Sequence, residues 1–474
     1  MAHLSHSPIP RIKRAVLGSL PKAATDATFA RIAGMLAARP SKLVVLDDDP
    51  TGCQTMHDID VLAEWSHETL VKAFTDTRLC FYILTNSRSL GSPEAAALTR
   101  EIARALRRAS EATQVAFTVV SRSDSTLRGH FKEETDALRE SLGPPIDATL
   151  VIPAFFEGGR FTLNDTHYVA EGDDLVPAAD TEFARDKTFG YAHSTLPEWI
   201  EEKTKGTTPA RDVVCVSLGT LRSAGGGPRV RDILLGVPRG SYVVVNATEY
   251  SDLEVFVEGL LMAEAAGRTF LSRTAAGFVR VRSGTAPRPP LDPDAIAGKG
   301  PEGGLIVVGS YVAKSTAQLQ SLQALATVVP IEMRADALAQ PDQRLAEVER
   351  VATLAAQAMA RGRHAVVFTS REPHSALGTV GELKAGAIVS EALVEVVRRI
   401  PLRPRFLVAK GGITSCEIAT KALGMRAARV VGQAVPGVPV WKMGDETRFP
   451  GLNYVVWPGN VGGTDDLRAL VSRL

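Results

Sequence analysis

Short apolar runs alternate along the chain with longer segments in which apolar residues recur every three or four positions. The runs are rich in Val, Ile and Leu without strict alternation, which is typical of strands buried on both faces of a parallel sheet. Helical spacing is clearest in residues 92–107, 345–361 and 380–398. Strands that alternate with helices predict an α/β layered fold. The predicted strands are residues 43–46, 81–84, 116–120, 149–152, 213–216, 242–245, 305–308, 365–368, 406–408, 428–431, 438–441 and 453–456.

One stretch, residues 283–304, breaks this alternation. It reads SGTAPRPPLDPDAIAGKGPEGG, and its density of Pro and Gly without an apolar period is typical of a linker. A separate series of predicted strands lies on each side of it. The sequence therefore predicts two α/β domains with largely parallel sheets and a ligand cleft between them. We expect domains at residues 1–285 and 303–474, joined by a linker at 286–302.

Composition excludes several classes of partner. The 474 residues carry 54 Lys and Arg against 53 Asp and Glu, a formal net charge of +1, which argues against nucleic acid or an anionic membrane. No apolar run approaches the roughly eighteen residues of a membrane span. Cys53, Cys80, Cys215 and Cys416 are scattered, so we expect reduced thiols and a cytoplasmic protein. No motif encodes the oligomeric state, and a homodimer is expected only because dimers are common.

Three consecutive acids, Asp47, Asp48 and Asp49, directly follow a predicted strand and precede Pro50 and Thr51. The carboxyl ends of strands in open α/β sheets are where ligands bind. Adjacent carboxylates repel one another, so they require a cation, a hydroxyl-rich ligand or backbone donors nearby. Two interpretations remain open at this point. The Asp-x-Asp-x-Thr spacing matches haloacid-dehalogenase-type phosphatases, or else the carboxylates hold substrate hydroxyls and activate one of them.

Three more polar segments follow strands in the N-terminal half, at residues 85–89, 121–129 and 153–160. Arg122 and Arg128 in the second segment provide planar guanidinium groups that suit a carboxylate or a phosphate. The serines, threonines and acids around them suit a polyol. Together the strand ends predict a small, anionic, hydroxylated ligand.

The C-terminal half has a different character. Residues 309–316 imitate a phosphate-binding P-loop but lack two of its glycines, so we reject that motif. They still place small hydroxyl residues at the start of a helix. Glycine-rich turns follow predicted strands at residues 409–415 and 457–464, and such turns let phosphate approach the backbone. Two of them at one sheet edge indicate a nucleotide site.

These segments in this order resemble the four-carbon acid sugar kinase family, formerly a domain of unknown function. The resemblance runs from about residue 41 to the C-terminus. Arg122 replaces a family Lys and Ile413 replaces a family Glu, which indicates a divergent branch. The matching motifs are residues 48–52, 122–129, 153–160, 309–310, 411–414, 436–439 and 459–462.

The resemblance implies that the N-terminal domain binds an acid sugar and that the C-terminal domain binds ATP. It implies a carbohydrate kinase that phosphorylates the terminal hydroxyl of a sugar acid of the threonate, erythronate or 3-oxo-tetronate class. Mg²⁺ is expected from the chemistry of phosphoryl transfer, although no residue pattern identifies its ligands.

On this hypothesis the catalytic base is Asp48 or Asp124, with Asp48 preferred, and Arg128 and Arg160 bind the substrate carboxylate. The expected substrate-binding residues are Asp49, Thr51, Asn86, Ser87, Arg88, Arg122, Arg128 and Arg160. The expected nucleotide-binding residues are Gly309, Ser310, Ser315, Gly411, Gly412, Ile413, Thr414, Gly437, Gly459 and Asn460.

Two alternatives compete with the kinase. A haloacid-dehalogenase-like phosphatase would use Asp47 as its nucleophile and Asp49 as its general acid, with no requirement for ATP. It leaves the C-terminal half unexplained. A non-catalytic protein that binds sugar acid and ATP would bind both ligands without turnover.

Overall fold

The computed structural model describes residues 9–22, 27–143, 145–370 and 382–474. The chain forms two compact units. The first comprises residues 1–48, 65–81 and 87–286, and the second comprises 49–64, 82–86 and 287–474. The sequence pattern alone assigns segments 49–64 and 82–86 to the N-terminal half, whereas the structure groups both with the C-terminal half. The start of the predicted helix at 380–398 lies outside the described residues.

Strands and helices alternate in the described residues of both units. The strands are β1 (Ile12–Lys13), β2 (Lys42–Asp47), β3 (Ile59–Leu62), β4 (Cys80–Leu84), β5 (Phe117–Arg122), β6 (Ala148–Ile152), β7 (Arg160–Leu163), β8 (Thr166–Glu171), β9 (Asp174–Pro177), β10 (Val214–Val216), β11 (Ser241–Val245), β12 (Phe270–Thr274), β13 (Leu305–Val308), β14 (Val328–Met333), β15 (His364–Thr369), β16 (Leu407–Lys410), β17 (Ala427–Val435), β18 (Val438–Met443) and β19 (Asn453–Trp457).

The helices are α1 (Val16–Ser19), α2 (Thr28–Ala38), α3 (His67–Thr75), α4 (Ser92–Thr113), α5 (Phe131–Ser141), α6 (Leu196–Lys203), α7 (Leu218–Arg222), α8 (Gly226–Gly236), α9 (Tyr250–Ala265), α10 (Ala276–Arg282), α11 (Pro293–Ile296), α12 (Ala313–Gln323), α13 (Ala335–Ala339), α14 (Pro341–Ala360), α15 (Glu382–Arg399), α16 (Gly412–Glu417) and α17 (Asp466–Val471). In the part of the chain that the structure describes, no helix combines the length and the apolar character needed to cross a membrane.

The main sheet of the first unit is parallel and runs in the order β10-β11-β6-β12-β5-β2. Its central strands carry apolar side chains that are buried on both faces, such as Val45, Val120 and Leu150, as their continuous apolar runs predict. A small antiparallel sheet, β1-β9-β8-β7, belongs to the same unit. The α/β class and the largely parallel sheets predicted from the sequence are confirmed.

Strand β12 is central to this sheet, yet the apolar pattern does not predict it. It reads FLSRT, with only two apolar residues, and it pairs with β5 on one side and β6 on the other. All five of its residues are buried. Hydrogen-bonding partners on both sides, rather than hydrophobicity, keep this polar segment inside the sheet.

The sheet of the second unit runs β3-β17-β18-β19-β16-β13-β15-β14. Strands β19, β16, β13, β15 and β14 are parallel, while β3, β17 and β18 pair antiparallel. The prediction of parallel strands at 428–431 and 438–441 is therefore wrong. Pro436 and Gly437 form a two-residue hairpin turn between them, in which Gly437 has φ +81°, a conformation that favours glycine.

We predict that Leu271→Ala will destabilise the first unit by about 2–5 kcal/mol, because it opens a cavity in a fully buried central strand. Urea-induced unfolding of the full chain measures the effect. The control is Leu235→Ala in α8 of the same unit, since Leu235 is 38% exposed and should change stability by only about 0.5 kcal/mol. Equal effects of the two substitutions would contradict the central position of β12.

Candidate functional site

Three parallel strands of the first unit end side by side. Their last residues are Asp47, Arg122 and Thr274, and the strand register pairs Asp47 with Arg122 and Arg122 with Thr274. The residues that follow these strands therefore meet at one edge, the edge at which open α/β sheets bind ligands. Asp48 directly follows β2, and Ser123, which directly follows β5, donates its hydroxyl hydrogen to Asp48 Oδ2 at 2.5 Å.

The carboxyl group of Asp48 is buried among charged groups. Its Oδ1 atom accepts no hydrogen bond from the described residues, although Arg88 Nε lies 3.3 Å and Arg122 Nη1 lies 3.8 Å from it. Burial raises the pKa of Asp48 against the opposing charge of Arg88, and the Glu134 carboxylate raises it further. Asp48 is therefore more basic than an ordinary aspartate.

The pKa of Asp124 is shifted in the opposite direction. Arg128 Nε donates to Asp124 Oδ2 at 2.7 Å, Thr126 donates its hydroxyl hydrogen to the same oxygen, and Arg88 Nη1 lies 3.8 Å from Oδ1. Burial alone would raise the pKa of Asp124, but the charges of Arg128 and Arg88 together with these hydrogen bonds hold it well below its usual range. Asp124 therefore stays ionised and fixes both guanidinium groups.

Arg160 is a buried cation that forms no ion pair with a described acidic residue. It is 5% exposed, and among the residues that the structure describes no carboxylate lies within 4 Å of its guanidinium group. Burial lowers the pKa of Arg160 against the opposing charge of Asp124, and among the described residues its Nη1 donates to the carbonyl oxygen of Gly158. The ring of Phe183 lies 5.7 Å from Arg160 Cζ and 5.1 Å from Arg128 Cζ. Such a group is suited to bind an anionic ligand.

Two charged residues of this cluster were missed in the sequence. Arg273, in β12, pairs with Glu134 and donates to the hydroxyl oxygens of Ser121 at 2.7 Å and Ser123 at 2.8 Å. Glu134 also accepts the hydroxyl hydrogen of Ser87. A helical segment as charged as FKEETDALRES looks solvent-exposed in sequence, but Glu134 is buried. The signal that could have located Arg273 is its place in FLSRT, a polar segment of the length of a strand.

Gly129 lets these groups approach one another. It has φ +116°, and a Cβ atom there would lie 2.6 Å from Ser123 Oγ, 3.0 Å from Asp48 Oδ2 and 3.1 Å from Arg273 Nη2. Any side chain would combine backbone strain with a collision. The glycine that ends the 122–129 motif is thus required by the packing of the charged cluster.

His167 is bonded to the backbone of the 121–129 segment. Its Nε2–H donates to the carbonyl oxygen of Ser125 at 2.7 Å, and Nδ1 lies 3.0 Å from Thr162 Oγ1. Burial lowers the pKa of His167 to about 4, so the ring is neutral near pH 7. It positions the 121–129 segment.

In the second unit, β13, β16 and β19 are parallel neighbours that end together, with Val308 paired to Lys410 and Lys410 paired to Trp457. A glycine follows each strand end closely, at Gly309, Gly411 and Gly459. A Cβ atom on Gly309 would lie 2.1 Å from Thr414 Oγ1, and one on Gly459 would lie 3.0 Å from Ser310 Oγ. Ser315 Oγ donates to Ser310 Oγ at 3.0 Å. Most of the predicted nucleotide-binding residues therefore lie together.

Lys410 is a further buried cation that sequence analysis did not select. It is fully buried at the end of β16, where its Nζ donates to the carbonyl oxygen of Pro458 at 3.1 Å and lies 5.6 Å from the ring centroid of Trp457. Its position immediately before Gly411 could have identified it. The lysine places positive charge beside both glycine-rich turns.

Three predicted nucleotide-binding residues lie at the rim of this group. Ile413 is 57% exposed, and Asn460 accepts from Lys314 Nζ through its backbone oxygen at 3.3 Å. Gly437 occupies the β17–β18 turn, where its N–H donates to Gln433 Oε1 at 2.7 Å. That turn lies at the same edge, because β18 runs antiparallel to β19.

Three predicted substrate-binding residues, Asp49, Thr51 and Asn86, belong to the second unit. Asp49 Oδ1 accepts from the backbone N–H of Thr51 at 2.8 Å and from its hydroxyl group at 2.5 Å. A Cβ atom on Gly412 would lie 2.4 Å from Asp49 Oδ2. The structure thus brings Asp49 to the Gly411–Gly412 turn. Ser87, Arg88, Arg122, Arg128 and Arg160 belong to the first unit with Asp48 and Asp124.

Two family models match the chain, one in each half. The model of a sugar-binding N-terminal domain matches residues 43–282, and the model of a nucleotide-binding C-terminal domain matches residues 305–467. A crystal structure of a Haemophilus influenzae protein covers 90% of this chain and 99% of its own, with 17% identity and a TM-score of 0.62. At that identity the match establishes the fold alone.

Curated relatives extend the comparison. The chain is 27% identical over 398 residues to a 3-oxo-tetronate kinase of Cupriavidus necator, an alignment that covers 81% of this chain and 84% of the relative. It is 25% identical over 326 residues to a D-erythronate kinase of Heliobacterium modesticaldum, covering 67% of this chain and 64% of that protein. Since the two family models match most of the chain in the expected order, the protein belongs to the four-carbon acid sugar kinase family, as its motifs predicted.

Proposed function

We propose that the protein is an ATP-dependent kinase that phosphorylates the terminal hydroxyl of a four-carbon sugar acid. The observation that carries this proposal is Arg160, a buried guanidinium group without an acidic partner in the described residues. Leaving such a charge unpaired is costly unless a ligand completes the site. The relatives named as 3-oxo-tetronate and D-erythronate kinases act on compounds that supply a carboxylate.

The acid site would use the arginines in two ways. Arg160 and Arg128, which share the ring of Phe183, would bind the substrate carboxylate through paired N–H donors. Arg88, held between Asp48 and Asp124, would contact the hydroxyl groups of the substrate. With the arginines assigned in this way, the reacting hydroxyl would lie at the carboxyl end of β2, next to Asp48.

Asp48 is the better of the two candidate bases. Its raised pKa makes it a stronger proton acceptor, whereas the lowered pKa of Asp124 makes that carboxylate a weak one. Asp48 Oδ1, which accepts no hydrogen bond within the described parts of the chain, would accept one from the terminal hydroxyl. Asp48 would thereby orient that oxygen for in-line attack on phosphorus and take up its proton as the P–O bond forms. Asp124 would act as a positioning residue.

The second unit would bind ATP at its glycine-rich turns, where Lys410 adds positive charge. Among the described residues no group of three or more His, Cys, Asp or Glu could hold a metal by itself. This fits a nucleotide-borne Mg²⁺, which uses one or two carboxylates together with phosphate oxygens. Asp49, beside Gly412, is the carboxylate suited to that role. When bound, the ion would neutralise charge on the phosphates.

The phosphatase alternative is not favoured. Asp47, its nucleophile, is buried and 3.2 Å from Arg122 Nη1, and Asp49, its general acid, is bound by Thr51 in the second unit. A phosphatase also gives no role to the nucleotide-binding domain.

The test is ATP consumption against a panel of four-carbon sugar acids with Mg²⁺. We expect ADP release that depends on one of the acids, with a product heavier by one phosphate in mass spectrometry. Asp48→Asn is the matched control, and it should lower turnover by about 10²–10⁴-fold while ATP binding stays near that of the unmodified protein.

Other outcomes decide against the kinase. ATP-independent phosphate release from phosphorylated acids would favour the phosphatase. Binding of both acid and ATP without turnover would favour the non-catalytic protein. Loss of ATP affinity in Asp48→Asn would contradict the assignment of ATP to the second unit.

A second prediction concerns Arg160. Arg160→Met should weaken binding of the acid about 10–100-fold, because a charged hydrogen bond is lost. It should leave thermal stability unchanged or higher, because an unpaired buried charge is removed. Calorimetric titration and thermal unfolding measure the two effects.

Arg273→Met is the comparison for this prediction, since it leaves Glu134 buried without its partner and should destabilise the protein by about 3–5 kcal/mol. An Arg160→Met variant that binds the acid as tightly as the unmodified protein would refute the role of Arg160.

A further inference from the structure

Thr274, the last residue of β12, has a buried hydroxyl group. The residue is 3% exposed, and its Oγ1 atom has no donor or acceptor within reach in the part of the chain that the structure describes. A buried hydroxyl that stays unpaired costs about 1–3 kcal/mol, so its retention requires an explanation.

The strand position explains why the described residues supply no partner for this hydroxyl group. Buried threonines in helices, such as Thr135, bond the carbonyl oxygen one turn earlier, here that of Phe131 at 2.8 Å. A residue in a strand has no such carbonyl within reach of its own side chain. The backbone groups around Thr274 are engaged in the sheet, since its carbonyl oxygen accepts from the N–H of Ser123 at 2.8 Å.

The sheet register places this hydroxyl beside Arg122, one of the residues that the sequence predicts to bind the substrate. Thr274 pairs with Arg122 on β5 and with Ile152 on β6, and directly paired residues of parallel strands point to the same face. Arg122 Nη1 lies 3.2 Å from Asp47 and 3.8 Å from Asp48. Thr274 therefore lies on the face of Arg122, at the end of the sheet where the proposed base is found.

The neighbouring residue, Arg273, shows that an unpaired polar side chain is not a general feature of this strand. Arg273 points to the opposite face, where Glu134, Ser121 and Ser123 satisfy its donors. The two faces of this strand end thus differ: Arg273 on one face is paired with protein groups, whereas the Thr274 hydroxyl on the other forms no hydrogen bond with the residues that the structure describes.

We propose that Thr274 determines specificity by exchanging a hydrogen bond with a secondary hydroxyl group of the sugar acid. This inference rests on the proposed function and adds a residue that reads the substrate's hydroxyl pattern. A buried group that is satisfied only by the correct substrate discriminates strongly against analogues that lack its partner. Thr274 would then favour the fully hydroxylated acid over its deoxy forms.

The test compares Thr274→Val with the unmodified protein on the preferred four-carbon acid and on its 2-deoxy and 3-deoxy analogues. We expect kcat/KM for the hydroxylated acid to fall about 10–100-fold, the ratio that corresponds to a lost buried hydrogen bond. One deoxy analogue should be used equally well by both proteins, and it identifies the hydroxyl that Thr274 binds. Thr274→Ser keeps a hydroxyl group and should restore activity.

Two controls separate this role from a structural one. Thr135→Val removes a buried hydroxyl that its own helix satisfies, and it should leave the ratio between hydroxylated and deoxy acids unchanged. Thermal unfolding of Thr274→Val should occur at the same or a higher temperature, because an unpaired hydroxyl is replaced by a methyl group.

The inference is overturned if Thr274→Val matches the unmodified protein on the hydroxylated acid. It is also overturned if activity falls equally for every analogue, which would indicate a structural role. Failure of the unmodified protein to phosphorylate any acid would instead refute the proposed function, so the two failures are distinguishable.

Discussion

Burial of charge at the ends of parallel strands is the constraint on which the first unit depends. Parallel pairing forces the carboxyl ends of β2, β5 and β12 to one edge, and the residues there are mostly charged. Each buried charge needs a counter-charge or a ligand. Asp124 forms an ion pair with Arg128, Glu134 with Arg273 and Asp47 with Arg122. A buried charge that forms no such pair is therefore informative. Arg160 forms no ion pair in the described residues, and its buried charge supports the proposal that an anionic ligand binds there.

The same constraint separates the two aspartates that the sequence could not distinguish. Asp124 receives two arginines and two local hydrogen bonds, which outweigh its burial. Asp48 has more distant arginines and a nearby glutamate, so burial prevails. Their environments move the two pKa values in opposite directions, which supports the proposed roles of Asp48 as the base and Asp124 as a positioning residue.

Much of this molecule can be predicted from its sequence. Each predicted apolar run coincides with an observed strand to within a few residues, because a strand that is buried on both faces consists largely of consecutive apolar residues. The antiparallel β17–β18 hairpin and the polar strand β12 could not be predicted from apolar runs alone, since pairing partners rather than hydrophobicity decide both. Long-range pairs such as Arg273 with Glu134 leave no local signal. The grouping of Asp49 with the second unit is a property of tertiary packing, although Asp49 is next to Asp48 in sequence.

The most direct test of the role of Arg160 measures thermal stability with a four-carbon sugar acid and no nucleotide, against the matching polyol that lacks the carboxylate. A ligand that binds only the folded protein stabilises it by about 2.7 kcal/mol at one hundred times its dissociation constant. If Arg160 binds the substrate carboxylate, the acid will raise the unfolding temperature and the polyol will not, because the charge of Arg160 requires an anion. Equal stabilisation by acid and polyol, or none by any acid of the class, would contradict this role of Arg160.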